Sequence, residues 1–228
     1  YEQVDVDYDD VGNAFLVRRR RQLLDQRLSD EFRPTGELLA STSARTSYVA
    51  NWHDPLGRTI STADYGTNDG RELRPPAAPP TRSDKVLVGT AFFNDRGEPF
   101  AATDPIGRTV VLTFDDAGRE IQRIENFTDS LSSLRRGGRI DIQKFAGSPN
   151  DANRVTERFY TADGGLEKIV IPHAKPGPQV TQFLHGVGAR WGDSSDLSAS
   201  TILRAVVDSL GRATHYAYNR QAEIKESR

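Results

Sequence analysis

Phe93-Asn-Asp-Arg-Gly97 is followed by Asp104-Pro-Ile-Gly-Arg108 and then by Phe114-Asp-Asp-Ala-Gly-Arg119. The glycines of these motifs, at positions 97, 107 and 118, are spaced 10 and 11 residues apart. A turn of about four residues leaves about six or seven for each intervening segment, which is an ordinary strand length. The spacing therefore predicts an all-β protein of antiparallel β-hairpins that form a twisted, curved sheet.

The recurrent residues of these motifs suit them to hairpin turns. Aspartate accepts hydrogen bonds from backbone N–H groups ahead of it, proline presets φ, and glycine adopts positive φ without a Cβ clash. A type I turn closed by a left-handed glycine is a common hairpin connection and is often accompanied by a bulge. The predicted structural turn residues are Asp54, Gly57, Asp104, Gly107, Asp115, Gly118, Asp208 and Gly211.

Apolar and polar residues alternate in the strands before several turns. Counting back by twos from an aromatic residue gives one apolar face, as in Val110, Leu112 and Phe114, with Val111 and Thr113 on the other face. A period of two is typical of half-buried strands, and aromatic residues aligned in this way would stack across neighbouring strands. The predicted aromatic ladder consists of Tyr8, Phe93, Phe114, Tyr160, Tyr216 and Tyr218.

The repeat is interrupted in three places, but residues 1–228 are expected to form a single repeat segment. Residues 66–84 contain a proline-rich run, which predicts an excursion over the surface, and residues 128–153 form another long loop. Either loop could carry a binding function. Residues 18–32 are compatible with a short amphipathic helix or with a strand that continues from Ala14 to Arg20, and we favour the strand.

Composition excludes several classes of function. A net charge of −2 argues against a dedicated nucleic-acid or membrane surface, and no apolar run is long enough to insert into a membrane. There is no cysteine for disulfides or thiolate metal sites, and no methionine. Because the chain starts at Tyr1 without a signal peptide, we expect a piece of a longer polypeptide.

Motifs that would indicate catalysis are absent from the sequence. The histidines at positions 53, 173, 185 and 215 do not have metal-ligand spacing, and no phosphate-binding or nucleophile-elbow motif occurs. Abundant acidic residues leave a glycosidase-like carboxylate pair open, but nothing singles out two of them. We expect no enzyme activity, no catalytic residue, no metal and no cofactor.

The recurring turns resemble those of the Rhs/YD-repeat family. The motifs that show this resemblance are Tyr8-Asp-Asp-Val-Gly12, Asp54-Pro-Leu-Gly-Arg58, Asp104-Pro-Ile-Gly-Arg108, Phe114-Asp-Asp-Ala-Gly-Arg119 and Asp208-Ser-Leu-Gly-Arg212. The resemblance extends from Tyr1 to Arg228. It implies a long antiparallel sheet that spirals into a hollow shell, which in bacterial members encloses a toxin segment and in animal relatives belongs to cell-surface adhesion proteins.

The resemblance implies a structural role as a wall segment of a secreted or cell-surface shell. The partners it implies are flanking YD repeats of the same polypeptide, with glycans or an enclosed toxin segment as further ligands. The alternative role is a glycan- or protein-binding adhesion module, in which Trp52 or Trp191 could stack on sugar rings, although a core position is the more common use of tryptophan. Several copies depart from the Tyr-Asp pair of the family, and the chain has no closing segment with the self-cleaving aspartates and no payload.

Overall fold

The computed structural model describes residues 2–22, 44–134, 139–145, 151–172, 177–186 and 201–227. These residues form an all-β fold with three short 3₁₀ helices, Asn68–Gly70, Leu131–Ser133 and Ile142–Phe145. The strands are β1 (Glu2–Tyr8), β2 (Ala14–Gln22), β3 (Ala44–His53), β4 (Thr59–Gly66), β5 (Leu87–Phe93), β6 (Pro99–Thr103), β7 (Thr109–Phe114), β8 (Glu120–Glu125), β9 (Arg154–Tyr160), β10 (Leu166–Ile171), β11 (Gln179–His185), β12 (Leu203–Val207), β13 (Ala213–Tyr218) and β14 (Ile224–Ser227).

Each strand pairs with its neighbours in the chain, so that the 14-stranded sheet has the order β1 to β14. This arrangement of antiparallel strands joined by turns confirms the predicted fold class. The chain divides into two compact units. The first contains Tyr1–Phe93 and Ala101–Arg108, and the second contains Asn94–Phe100 and Thr109–Arg228.

A row of cross-strand partners forms the buried face of the first unit. Leu16 lies opposite Ala50, Ala50 opposite Ala63, and Ala63 opposite Val88. All four side chains are buried. Residues that face each other across paired strands share one face of the sheet, so this row marks the face on which the core is built.

The connection between β4 and β5, residues 67–86, folds over this face, and we call it the first cover. Leu73, in the first cover, is only 6% exposed and packs with Leu16, Tyr48 and Ala50. The indole N–H of Trp52 donates a hydrogen bond of 3.0 Å to the Pro76 carbonyl. The interpretation of this segment as a surface excursion is therefore wrong at Leu73, which supplies an apolar side chain to a sheet face that needs a second layer.

The second unit contains a similar row in which Val111 lies opposite Ile124 and Ile124 opposite Val155. The connection between β8 and β9 covers it, and we call its described residues, 126–134, 139–145 and 151–153, the second cover. Its Phe127, Ile140 and Phe145 are buried. The rings of Phe127 and Phe145 meet edge to face with their centroids 6.1 Å apart.

The second cover is bound to the sheet through a buried amide side chain. Gln122 in β8 is only 1% exposed. Both polar atoms of its amide are engaged, because Nε2 donates to the Ile140 carbonyl at 3.1 Å and Oε1 accepts from the Ile140 N–H at 3.0 Å. The side chain thus pairs with the cover's backbone as a neighbouring strand would, which satisfies a buried donor and a buried acceptor.

The predicted assignment of faces is wrong in β7. Counting by twos placed Val110, Leu112 and Phe114 on the core side, but the structure buries Val111 and Thr113 and leaves the other three residues partly exposed. In β1, Tyr8 on the predicted apolar face is largely exposed. The covers come from long connections outside the strands themselves, so alternation within a strand does not reveal which face they protect.

The arginine run lies in a strand, as favoured from the sequence, because β2 spans Ala14–Gln22. Arg18 pairs with Asp7 at 2.6 Å and Arg20 pairs with Asp5 at 2.5 Å. These pairs cross between β2 and β1, and alternate arginines therefore bind the neighbouring strand.

No helix among the described residues is long and apolar enough to cross a membrane.

Candidate functional site

The Asp54–Arg58 turn shows how the predicted motif folds. The Asp54 N–H donates to the Arg58 carbonyl and the Gly57 N–H to the Asp54 carbonyl, each at 2.9 Å. Oδ1 of Asp54 accepts from the N–H groups of Leu56 at 2.9 Å and of Arg58 at 3.0 Å. Gly57 has a φ of +75°, a conformation that costs glycine little and other residues more.

The arginine that closes such a turn binds its aspartate a second time. In the first example the Arg58 Nε donates to Asp54 Oδ2 at 2.7 Å. The same contact recurs in the turns that begin at Asp104, Asp115 and Asp208, at 2.9, 2.8 and 2.6 Å. The hydrogen bond from Arg58 lowers the pKa of Asp54, and that from Arg119 lowers the pKa of Asp115.

All eight predicted turn residues therefore lie in hairpin connections. The carboxylates of the four aspartates accept hydrogen bonds from backbone N–H groups and from the arginine of the same turn. The glycines at positions 107, 118 and 211 also have positive φ. A carboxylate that accepts two N–H groups and an arginine is held ionised at low pKa, which is the opposite of what a general acid needs. Among the described residues, no group of three or more histidine, aspartate or glutamate side chains could hold a metal ion.

Two of the arginines that close a turn contact an aromatic ring at the end of a later strand. The guanidinium of Arg58 lies over the ring of Phe93, 4.3 Å from its centroid, and that of Arg119 lies over Tyr160 at 4.6 Å. Phe93 is the last residue of β5 and Tyr160 is the last residue of β9, so each ring lies directly before the turn that follows its strand. Arginine over an aromatic face is a cation–π contact, worth about 0.5–1 kcal/mol at exposed sites.

The predicted ladder aromatics have varied surroundings. Phe93 and Tyr160 receive arginines. The Tyr160 hydroxyl also donates to the Glu120 carbonyl at 2.9 Å, and the Tyr218 hydroxyl donates to the Leu203 carbonyl at 2.8 Å. Both bonds join the end of one strand to the beginning of the preceding strand. Phe114 and Tyr216 are partly buried in β7 and β13, whereas Tyr8 is 62% exposed.

A groove of about 780 Å³ lies between the turns at residues 9–13 and 54–58 in the first unit. Phe15 and Trp52 contribute rings to it, and Asn51 and His53 contribute polar groups. The turn tips Val11 and Leu56 border the groove and are largely exposed. An open groove with rings and exposed aliphatic tips suits contact with a partner more than enclosure of a small substrate.

The polar groups of the groove are mostly engaged within the protein. Asn51 Nδ2 donates to the Ala14 carbonyl at 3.1 Å, and its Oδ1 accepts from the Thr62 hydroxyl at 2.9 Å. Trp52 is partly buried, packs against the core cluster and uses its N–H on the first cover. Trp191, the other tryptophan considered for sugar stacking, and His173 lie outside the described residues.

The sequence pointed to the turns but not to the residues that anchor the covers. Leu73 is a single leucine in a polar, proline-rich segment, and Gln122 lies in the ordinary strand sequence Glu-Ile-Gln-Arg-Ile-Glu at positions 120–125. Neither has a local pattern that distinguishes it. The one available signal was the length of the two interruptions, because long loops in compact folds usually have a role.

No family model matches the sequence, and a search of curated proteins finds no match. Solved structures match this chain only at low structural similarity. A crystal structure of TcdB2-TccC3-TEV matches with a TM-score of 0.32 and 11% identity, over 98% of this chain and 12% of the other. TcdB2-TccC3 without its hypervariable C-terminal region matches at 0.31 and 12%, over 99% and 12%.

The pore structure of the Tc holotoxin of Photorhabdus luminescens, with a TccC3 variant, matches with a TM-score of 0.29 and 10% identity. That match covers 98% of this chain and 11% of the other. This chain thus spans about an eighth of the length of the structures it resembles.

Proposed function

We propose that this chain is a wall segment of a larger secreted or cell-surface shell built from YD-type hairpins, which encloses or presents another segment. The observation that carries the proposal is the continuous strand order from β1 to β14, in which each outermost strand has one described neighbour. An outermost strand presents unpaired N–H and C=O groups and is a template for a further strand. The role is structural, without enzymatic activity or a cofactor.

Two further features support a wall built by repetition. Closing residues of the turns contact the following turn, so hairpins are joined side by side beyond their backbone pairing. The two covers protect local stretches of sheet, as expected where each part of an extended sheet contacts mainly its neighbours. Flanking repeats of the same polypeptide are the proposed partners, together with an enclosed segment such as a toxin.

The test is the association state of the isolated chain. We expect it to associate through β1 and β14, and Val4→Lys and Ile224→Lys to reduce the association, since both residues are exposed on outermost strands and charge blunts strand edges. Light scattering after size-exclusion chromatography reports the mass. Leu210→Lys, at an exposed turn tip, is the matched control. A monodisperse monomer with a sharp cooperative melt would contradict the proposal.

A second candidate function is a glycan- or protein-binding adhesion module that uses the groove. The observation in its favour is the combination of Phe15, Trp52 and exposed tips at an open surface. A glycan array probed with the chain and with His53→Ala tests it, because His53 lines the groove and is absent from the core cluster. Binding that His53→Ala weakens would support this function, and an array without binding would remove its glycan form.

A further inference from the structure

Arginine contacts between neighbouring turns follow the direction of the chain. In each case the arginine belongs to the earlier turn, and the ring that it covers precedes the later turn. Arg58 covers Phe93, and Arg119 covers Tyr160. At these two turns, the ring that precedes the turn receives the guanidinium of an earlier hairpin.

Tyr8 occupies the equivalent position in the first hairpin. It precedes the turn at residues 9–13, and it belongs to β1, which is outermost in the strand order. Its side chain is 62% exposed, whereas Phe93 and Tyr160 are partly buried. Among the described residues, no turn precedes β1 to supply an arginine. The ring of Tyr8 is therefore presented without the cover that its two counterparts have.

The corner around Tyr8 is also acidic. The turn that it precedes closes with Asn13 where four other turns have arginine, so Asp9 is bound by an amide and not by a cation. Hydrogen bonds from Asn13 lower the pKa of Asp9, which stays ionised. Asp10, the next residue, is exposed. Two carboxylates thus lie next in the chain to an exposed ring.

A second turn pair shows how a guanidinium uses such a corner. Arg96 reaches from its own turn to the next one, where Nη2 donates to the Asp115 carbonyl at 2.9 Å and Nη1 approaches Asp116 Oδ1 at 3.4 Å. Asp115 and Asp116 occupy the same turn positions as Asp9 and Asp10. Within this protein, arginines of one turn therefore contact both an aromatic ring before another turn and the acidic residues of another turn.

We propose that Tyr8, Asp9 and Asp10 form a docking corner for the arginine that closes a preceding hairpin of the same polypeptide. This inference rests on the proposed function, because it requires that the sheet continue beyond β1. A second copy of this chain is a poorer occupant. Its last hairpin turn has Glu223, held by Asn219 at 2.8 Å, at the closing position from which Arg58 and Arg119 reach their rings, so it brings a carboxylate there in place of a guanidinium. Arg220 of that turn lies one position earlier in its turn than Arg96 does.

The test adds a hairpin to the full chain. A copy of residues 109–125, whose turn closes with the arginine corresponding to Arg119, is joined through a flexible Gly/Ser linker to the N-terminus. The matched variant has glutamine in place of that arginine, and each version is made with Tyr8 and with Tyr8→Leu. Hydrogen exchange of the β1 amides reports strand pairing, and urea unfolding reports the coupling between arginine and ring.

We expect the added hairpin to slow exchange in β1 and the arginine to raise the unfolding midpoint over glutamine. By analogy with exposed cation–π pairs, the arginine–Tyr8 coupling should change the unfolding constant by about two- to fivefold, and Tyr8→Leu should abolish it.

Slowed exchange in β1 without coupling between the arginine and Tyr8 would overturn the docking corner and leave the proposed function standing. Unchanged exchange in β1 would overturn both. Dimerisation that Tyr8→Leu abolishes would identify a second copy as the occupant and overturn the assignment to a preceding hairpin.

Discussion

The two covers protect the same kind of sheet face by different interactions. The first cover inserts Leu73 among Leu16, Tyr48 and Ala50 and adds one hydrogen bond from Trp52. The second cover also buries apolar side chains, but its backbone is bound twice by the buried side chain of Gln122. Apolar packing tolerates small shifts of the packed segment, whereas a paired amide fixes the position of one residue.

The two covers show that an antiparallel sheet can obtain its second layer from connections between its own neighbouring strands. Each cover lies between two consecutive strands, so the layer is supplied by the chain that it protects. A β-sheet with one apolar face must bury that face against something. Over the described stretches, two long connections with short 3₁₀ helices satisfy this requirement without an α-helix or a second sheet.

The largest effect is expected for the apolar anchor of the first cover. Leu73→Ala removes most of a buried leucine side chain and should lower the free energy of unfolding by about 3 kcal/mol. Urea denaturation followed by tryptophan fluorescence measures the change. Leu87→Ala, at a half-exposed leucine of β5, is the control and should cost less than about 1 kcal/mol. Equal losses in the two variants would show that Leu73 is not an anchor.

The next largest effect is expected for the amide clamp of the second cover. Gln122→Leu keeps the side chain's approximate volume but leaves the Ile140 N–H and carbonyl without their partner, which should cost about 2 kcal/mol. Thermal unfolding by circular dichroism measures it. Gln143→Leu, at an exposed position in the same cover, is the matched control. A Gln122→Leu protein as stable as the parent would mean that the apolar residues alone hold this cover.

A smaller effect is expected for the hydrogen bond of the first cover. Trp52→Phe removes the N–H that donates to Pro76 and should cost about 1 kcal/mol. Limited proteolysis within residues 67–86 should become faster, while cleavage within residues 126–145 should not change. Faster cleavage of both segments would contradict the view that each cover is anchored on its own stretch of sheet.

The smallest difference between the covers is expected on acidification, because neither Leu73 nor Gln122 titrates. Arginine hydrogen bonds lower the folded-state pKa of Asp54 in the first unit and of Asp115 in the second, below the ordinary value of about 3.9. Their contribution is present above that value and is lost as the pH falls through the lowered pKa. Urea midpoints at falling pH should therefore decline in both units, and Asp54→Asn should weaken the decline. A midpoint that rises on acidification would contradict this.

Much of the fold followed from short-range chemistry. Asp104, Pro105 and Gly107 specify a turn from within five residues, and the distance between such turns gives the strand length, so hairpin order was accessible from the sequence. The buried face was not. Val110 and Leu112 compete with Val111 for the core, and the choice depends on Ile140 and other residues that arrive from the far side of a long connection.

The candidate interaction residues were accessible only in part. Aromatic residues before turns were apparent, and stacking between them stays a prediction, but the arginines that cover Phe93 and Tyr160 were not predicted. The repeated Asp-x-x-Gly-Arg motif contains these arginines, yet each also binds its own aspartate, so the sequence suggested a local role. The contact to the next turn depends on the distance between neighbouring hairpins, which requires the paired sheet.

Native-state hydrogen exchange at the Ile140 amide tests whether a long connection forms the second layer of the sheet. In the parent chain this amide donates to the buried Gln122 side chain. We expect strong protection that Gln122→Leu removes while the amides of Ile124 and Val155 in the strands beneath stay protected. Exchange of the Ile140 amide at the rate of an unfolded segment in the parent chain would contradict the claim.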